Sequence, residues 1–185
     1  VVVLQNLGLD IAPRWHYAVL VGYDLAAREV VLRSGVTERE TLPLRTFEFT
    51  WARGGRWAIA VLPPGRLPAT AQEADALEAA IGFERAAPPA QAVSAYRALL
   101  ARWPANLLAG IGLGNTLYAA GDAAGAATAF DAVAQRHDSA VAWNNLARLR
   151  LEAGDRAGAR TAAERALRRA EAAEPAFRAA ARATL

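Results

Sequence analysis

Residues 1–62 set short apolar runs between polar turns, whereas from residue 73 onward small and apolar positions recur at helical spacing. The first pattern predicts strands. Tyr17–Tyr23 is a run of β-branched and aromatic residues, and a polar turn from Asp24 to Arg28 leads to Glu29–Arg33, so the two segments predict a hairpin. Val1–Gln5 is apolar enough on both faces to predict a central strand. Thr41-Leu42-Pro43 predicts a short edge strand, because Pro43 cannot donate to a ladder. Leu44–Arg53 reads as a short helix with Phe47 and Trp51 four residues apart, ended by Gly54-Gly55, and Trp57–Val61 returns as a strand. Alternation along the first hairpin strand places His16, Ala18, Leu20 and Gly22 on one face and Tyr17, Val19, Val21 and Tyr23 on the other.

The change of regime coincides with Val61-Leu62-Pro63-Pro64-Gly65-Arg66-Leu67-Pro68, whose three prolines predict a stiff linker over 63–72. Beyond it, Gly121-Asp122 recurs 33 residues later as Gly154-Asp155, each between two helical segments. With these glycines aligned, the first helices carry Leu113, Gly114 and Leu117, then Trp143, Leu146 and Ala147. The second helices carry Ala126, Phe130 and Val133, then Ala159, Ala163 and Ala166. A weaker earlier copy has Ala79, Ala80, Phe83, Ala92, Tyr96, Leu99 and Pro104. Small residues where helices cross, bulky ones between them and Gly-Asp at the turn resemble the tetratricopeptide repeat. The resemblance implies three repeats (73–106, 107–139 and 140–172), a stacked solenoid over 73–172 and a capping helix over 173–185. The fold class expected is α+β: an antiparallel, β-rich unit over 1–62 followed by an all-α repeat solenoid.

Composition narrows the function. Hydrophobic residues are 54% and charged residues 21% of the 185, which places the chain among globular proteins. No apolar run reaches the ~20 residues of a membrane-spanning helix. All 21 basic residues are arginine, facing 18 acids, and 8 Arg against 6 acids up to residue 68 leave 13 against 12 after it. Neither part holds a basic excess suited to nucleic acid. Cysteine and methionine are absent, and the chain opens inside an apolar run; we therefore expect it to be the downstream piece of a longer polypeptide.

Chemistry is sparse. His137, in Gln-Arg-His-Asp, ends a predicted helix and suits its dipole. His16 opens an apolar strand between Trp15 and Tyr17, beside the small Ala18. From pattern alone it is either a hydrogen-bonded structural residue or a base with room for an approaching substrate. The stretch His16-Tyr-Ala-Val-Leu-Val-Gly-Tyr-Asp24, preceded by the apolar strand Val1–Leu4, resembles the histidine strand of papain-like bacterial cysteine peptidases, particularly the bacteriocin-processing, double-glycine-leader family. The resemblance covers about residues 1–61. It implies that these form the C-terminal half of a peptidase domain, with the nucleophile-bearing N-terminal half missing, and that His16 takes the proton of an upstream cysteine. Ser34 stands at the family's aspartate position, where it can hydrogen-bond the ring but supplies no negative charge; Gln5 and Asn6 are alternative orienting residues. No cofactor is implied, and two distant histidines without cysteine make no metal site. The family resemblance also points to a bacterial cell envelope or periplasm.

Stacked repeats expose the inner face of each first helix. By register, Leu108, Ile111, Asn115 and Tyr118, then Val141, Asn144, Arg148 and Leu151, line a groove for a protein or peptide partner. Asn115 and Asn145 fall where some tetratricopeptide domains clamp a peptide carboxylate, but Ile111 replaces the clamp's lysine, so a mixed apolar and amide groove is expected. Gly110-Ile-Gly-Leu-Gly114 lies within a repeat helix, lacks the strand and lysine of a phosphate loop, and reads as a close-packing surface. Three readings follow: a fragment of a cysteine peptidase-like protein with a partner-binding repeat domain, inactive alone; a non-catalytic peptidase-like scaffold or adaptor; and an unrelated sheet in which His16 is structural.

Overall fold

The computed structural model describes residues 1–172, and the chain divides into two compact units between Leu62 and Pro63. The expected capping helix at 173–185 lies outside the described residues.

The first unit comprises β1 (Val2–Asn6), β2 (Trp15–Asp24), β3 (Glu29–Ser34), β4 (Thr37–Pro43), α1 (Leu44–Arg53) and β5 (Ala58–Ile59). They form an antiparallel sheet in the order β4-β3-β2-β1-β5. Val3, Ala18, Val30 and Leu32 share its inner face and are buried with Phe47 of α1. Phe47 and Trp51, one helical turn apart, stack at 5.7 Å.

Three expectations change here, the first being that the edge strand β4 starts at Thr37, four residues before the expected Thr41. Leu20 pairs with Leu32, but Gly22 pairs with Val31, so β2 carries a bulge. Beyond a bulge the side-chain faces exchange. Gly22 therefore sits opposite Val31, on the outer side, and Tyr23 opposite buried Val30; the predicted faces hold only as far as Leu20. The last strand is also shorter than predicted. The Trp57 carbonyl accepts from the Leu4 N–H and the Trp51 indole, and pairing ends at Ile59, which lies opposite Val2, the first residue of β1. β1 is consequently flanked by a full strand on one side and a two-residue strand on the other, and Val2 and Leu4 on its outer face are only half-buried.

In the second unit, residues 63–72 contain no helix or strand, though their end is anchored: Arg102 donates to the Pro68 and Ala69 carbonyls at 2.9 Å each, and Leu67 packs against Ala76, Ala80 and Tyr96. Six helices follow: α2 (Glu73–Ala86), α3 (Pro89–Arg102), α4 (Leu107–Ala119), α5 (Ala123–His137), α6 (Ala140–Glu152) and α7 (Arg156–Ala172). Loops of two to four residues fold each helix back on the one before. The Gly-Asp turns have a physical cause. Gly121 and Gly154 lie at φ +85° and +84°, where a Cβ is strained, and Asp122 and Asp155 cap the following helices by accepting from the Gly125 and Gly158 N–H groups at 2.8 and 2.9 Å.

The core is built from small residues against large ones. Trp143, Leu146 and Ala147 of α6 are buried with Phe130 and Ala134 of α5 and Ala162, Ala163 and Ala166 of α7. The Trp143 indole donates to Asp138, itself left-handed at φ +48° where α5 ends, and the Arg165 guanidinium lies 4.6 Å over its ring. In α2 the buried alanines are Ala76 and Ala80, whereas Ala79 is exposed, because positions four apart share the face turned to α3.

Candidate functional site

The three first helices, α2, α4 and α6, present equivalent faces. On α4, Leu108 is well exposed, Ile111 is half-buried against the core, and Asn115 and Tyr118 are exposed. On α6, Val141, Asn144 and Asn145 are half-buried, and Arg148 and Leu151 exposed. The spacings of three and four residues put each set along one helix face. The equivalent face of α2, 34 residues before that of α4, carries Ala74, Leu77, Ile81 and Glu84, which the sequence reading had not included.

At one end the ladder is tied across helices. The Arg148 guanidinium lies 4.5 Å over the Tyr118 ring, and the Tyr118 hydroxyl donates to Glu152 at 3.3 Å, which is also 3.7 Å from Arg148. Sequence reasoning missed Glu152, although its i,i+4 spacing from Arg148 was the available signal. Below the surface, Glu84 of α2 accepts from Tyr96 of α3 at 2.5 Å and from Thr116 of α4 at 3.2 Å. Burial first, and then the Glu84 carboxylate, push the Tyr96 hydroxyl well above the ordinary tyrosine pKa.

The three glycines of α4 keep its neighbours close. A Cβ on Gly110 would come within 2.3 Å of Val133, one on Gly112 within 2.4 Å of the Tyr96 ring and one on Gly114 within 2.5 Å of the Phe130 ring. Gly110-Ile-Gly-Leu-Gly114 is thus a packing surface in mid-helix.

In the first unit His16 pairs with Gln5 across β1 and β2, and its Nε2 lies 2.7 Å from the Ser34 hydroxyl of β3. Gln5 and Asn6 do not orient the ring. Gln5 donates its side-chain N–H to Thr50 of α1 at 2.6 Å, and Asn6 accepts from the Gly8 and Arg14 N–H groups at 2.9 Å each, organising the loop after β1. His137 is the last residue of α5, one position before the cap residue Asp138. Among the described residues, no group of three His, Cys, Asp or Glu side chains is placed to hold a metal ion, and no helix is long and apolar enough to cross a membrane.

No family model and no curated protein matches the chain. Solved structures do. The tetratricopeptide-repeat domain of Sgt2 from Aspergillus fumigatus superposes with a TM-score of 0.53 at 20% identity, over 62% of this chain and 78% of that one. The type III secretion translocator chaperone SycD of Yersinia enterocolitica, in an alternative dimer, gives 0.55 at 17% identity, over 63% of this chain and 90% of that one. The chain is therefore an antiparallel five-stranded sheet unit joined to a helical repeat unit with a tetratricopeptide-like fold.

Proposed function

We propose that this chain is a protein-interaction module: its repeat unit holds an extended or helical segment of a partner along the α2–α4–α6 face, and its sheet unit is a non-catalytic scaffold. The observation that carries this reading is the set of exposed side chains Leu108, Asn115 and Tyr118 on α4 and Arg148 and Leu151 on α6, joined at one end by the Tyr118–Arg148–Glu152 contacts. Apolar side chains beside amides and one oriented guanidinium suit a peptide with alternating apolar and polar or acidic positions. Likeness to a chaperone of a translocator supports a protein as the partner. Ile111 at the clamp's lysine position argues against recognition of a terminal carboxylate.

Peptide display on the whole chain tests this, with recovered peptides titrated against the Leu108→Glu and Arg148→Ala variants. Each substitution is expected to weaken binding about tenfold, or about 1.4 kcal/mol. Peptides that bind wild type and both variants equally would place recognition elsewhere.

The short His16–Ser34 contact favours a second reading, in which the sheet unit belongs to a cysteine peptidase and Ser34 fixes the ring through Nε2. The chain has no cysteine, so the thiol would come from residues outside it. In a polypeptide extended upstream, one cysteine that alkylates rapidly near pH 6, and slows in His16→Ala, would support that reading. A cysteine indifferent to His16 would leave the scaffold.

A further inference from the structure

Because α7 folds back on α6, the end of α7 lies beside the start of α6. There the second unit carries an open cleft of about 340 Å³ lined by Asp138, Arg165, Arg168, Arg169 and Ala172. The spacing of the four α7 residues sets three guanidinium groups on one helix stripe, which ends in a side chain too small to fill the space. Like charges at these spacings repel one another. The contacts that hold the arginines relieve little of this. The Arg165 guanidinium lies 4.6 Å over the Trp143 ring and has no ion-pair partner among the described residues. Arg168 stands 4.0 Å from Glu164 and Arg169 stands 3.7 Å from Asp138, both beyond hydrogen-bond distance. The Arg169 Nε–H is buried with no hydrogen-bond partner among the described residues, which leaves its desolvation uncompensated. One oxygen of Asp138 already accepts from the Trp143 indole at 2.9 Å.

Charge and donors together indicate what the cleft takes. Three guanidinium groups and one carboxylate give its lining a formal charge of +2. Guanidinium offers only donors, in a planar fork that matches two oxygens of one anion. We propose that this cleft binds the dianion of a phosphate monoester, whose oxygens accept from Arg165, Arg168 and Arg169. Such a group carries about −1.5 to −2 at pH 7 and three acceptor oxygens, which meets both the charge and the unused donors. A carboxylate brings one charge and two oxygens, and leaves part of both unmet. Free phosphorylated compounds and phosphorylated protein side chains share this chemistry.

Titration of the isotope-labelled whole chain with inorganic phosphate at constant ionic strength, followed by nuclear magnetic resonance of the arginine Nε–H groups, tests this. The Arg169 signal is expected to shift saturably. Arg165→Gln and Arg168→Gln should each raise the dissociation constant about tenfold or more, whereas Arg160→Gln, an exposed position of α7 outside the cleft, leaves it unchanged. Circular dichroism of each variant separates lost binding from unfolding. A short peptide carrying one phosphoserine distinguishes the sources: tighter binding than inorganic phosphate indicates a modified protein side chain, and equal binding a free phosphorylated compound. Absence of saturation by either probe overturns the proposal, as does an equal response to acetate or a phosphate affinity that neither cleft substitution lowers. The cleft shares no residue with the α2–α4–α6 face, so none of these outcomes depends on whether that face binds peptide.

Discussion

Gly112 and Gly82 both lie inside helices, yet their surroundings make opposite demands. A side chain on Gly112 would enter the Tyr96 ring, whereas nothing lies within 4 Å of where a Cβ on exposed Gly82 would point. Gly112→Ala should therefore destabilise the chain by about 1–3 kcal/mol through overpacking, despite alanine's better helix propensity. Gly82→Ala should stabilise it by about 1 kcal/mol, because the propensity gain meets no steric cost. Urea denaturation of the two variants checks both signs. Their place in a repeat helix, without the strand and lysine of a phosphate loop, was enough to read Gly110, Gly112 and Gly114 as a close-packing surface. That Val133, Tyr96 and Phe130 are the side chains they admit depends on two neighbouring helices and was not legible.

At the scale of elements, Tyr96 and Thr116 link α2, α3 and α4 through two hydrogen bonds, both to the Glu84 carboxylate. Because the folded tyrosine is held above its usual value, its neutral form is favoured by folding. This contribution is complete below the unfolded pKa of about 10 and is lost as pH rises beyond it, since the unfolded chain ionises first. Stability of the repeat unit should fall by urea titration as pH rises from about 10 towards the raised folded value, and Tyr96→Phe should flatten that dependence. An equal slope in the variant would show that other groups govern it. Elements set by local chemistry were readable: α1 follows from Phe47 and Trp51 with Gly54-Gly55 behind them, and the hairpin from its alternating strands. The bulge near Gly22 was hidden, since it exists only in the pairing of β2 with β3, and it reverses the faces of Gly22 and Tyr23.

At the scale of the molecule, the unit that begins at Pro63 has its own buried clusters and keeps the Arg102 contacts to Pro68 and Ala69. Adjacent helix pairs bury one another, so a fragment from Pro63 onward should fold alone, with a helical circular-dichroism spectrum and one cooperative urea transition. A disordered spectrum would mean that the repeats need the sheet. The sequence by itself determined the repeat, because the Gly-Asp turns require a left-handed residue and a cap at a fixed period, and small residues must recur where helices cross. It also determined the strand-rich character of residues 1–62, through alternation and turn chemistry. Only the tertiary structure decided which polar groups meet: His16 with Ser34, Glu84 with Tyr96 and Thr116, and Tyr118 with Arg148 and Glu152. Those partners lie on different elements, and their meeting depends on strand register and helix stacking, which local preference along the chain does not encode.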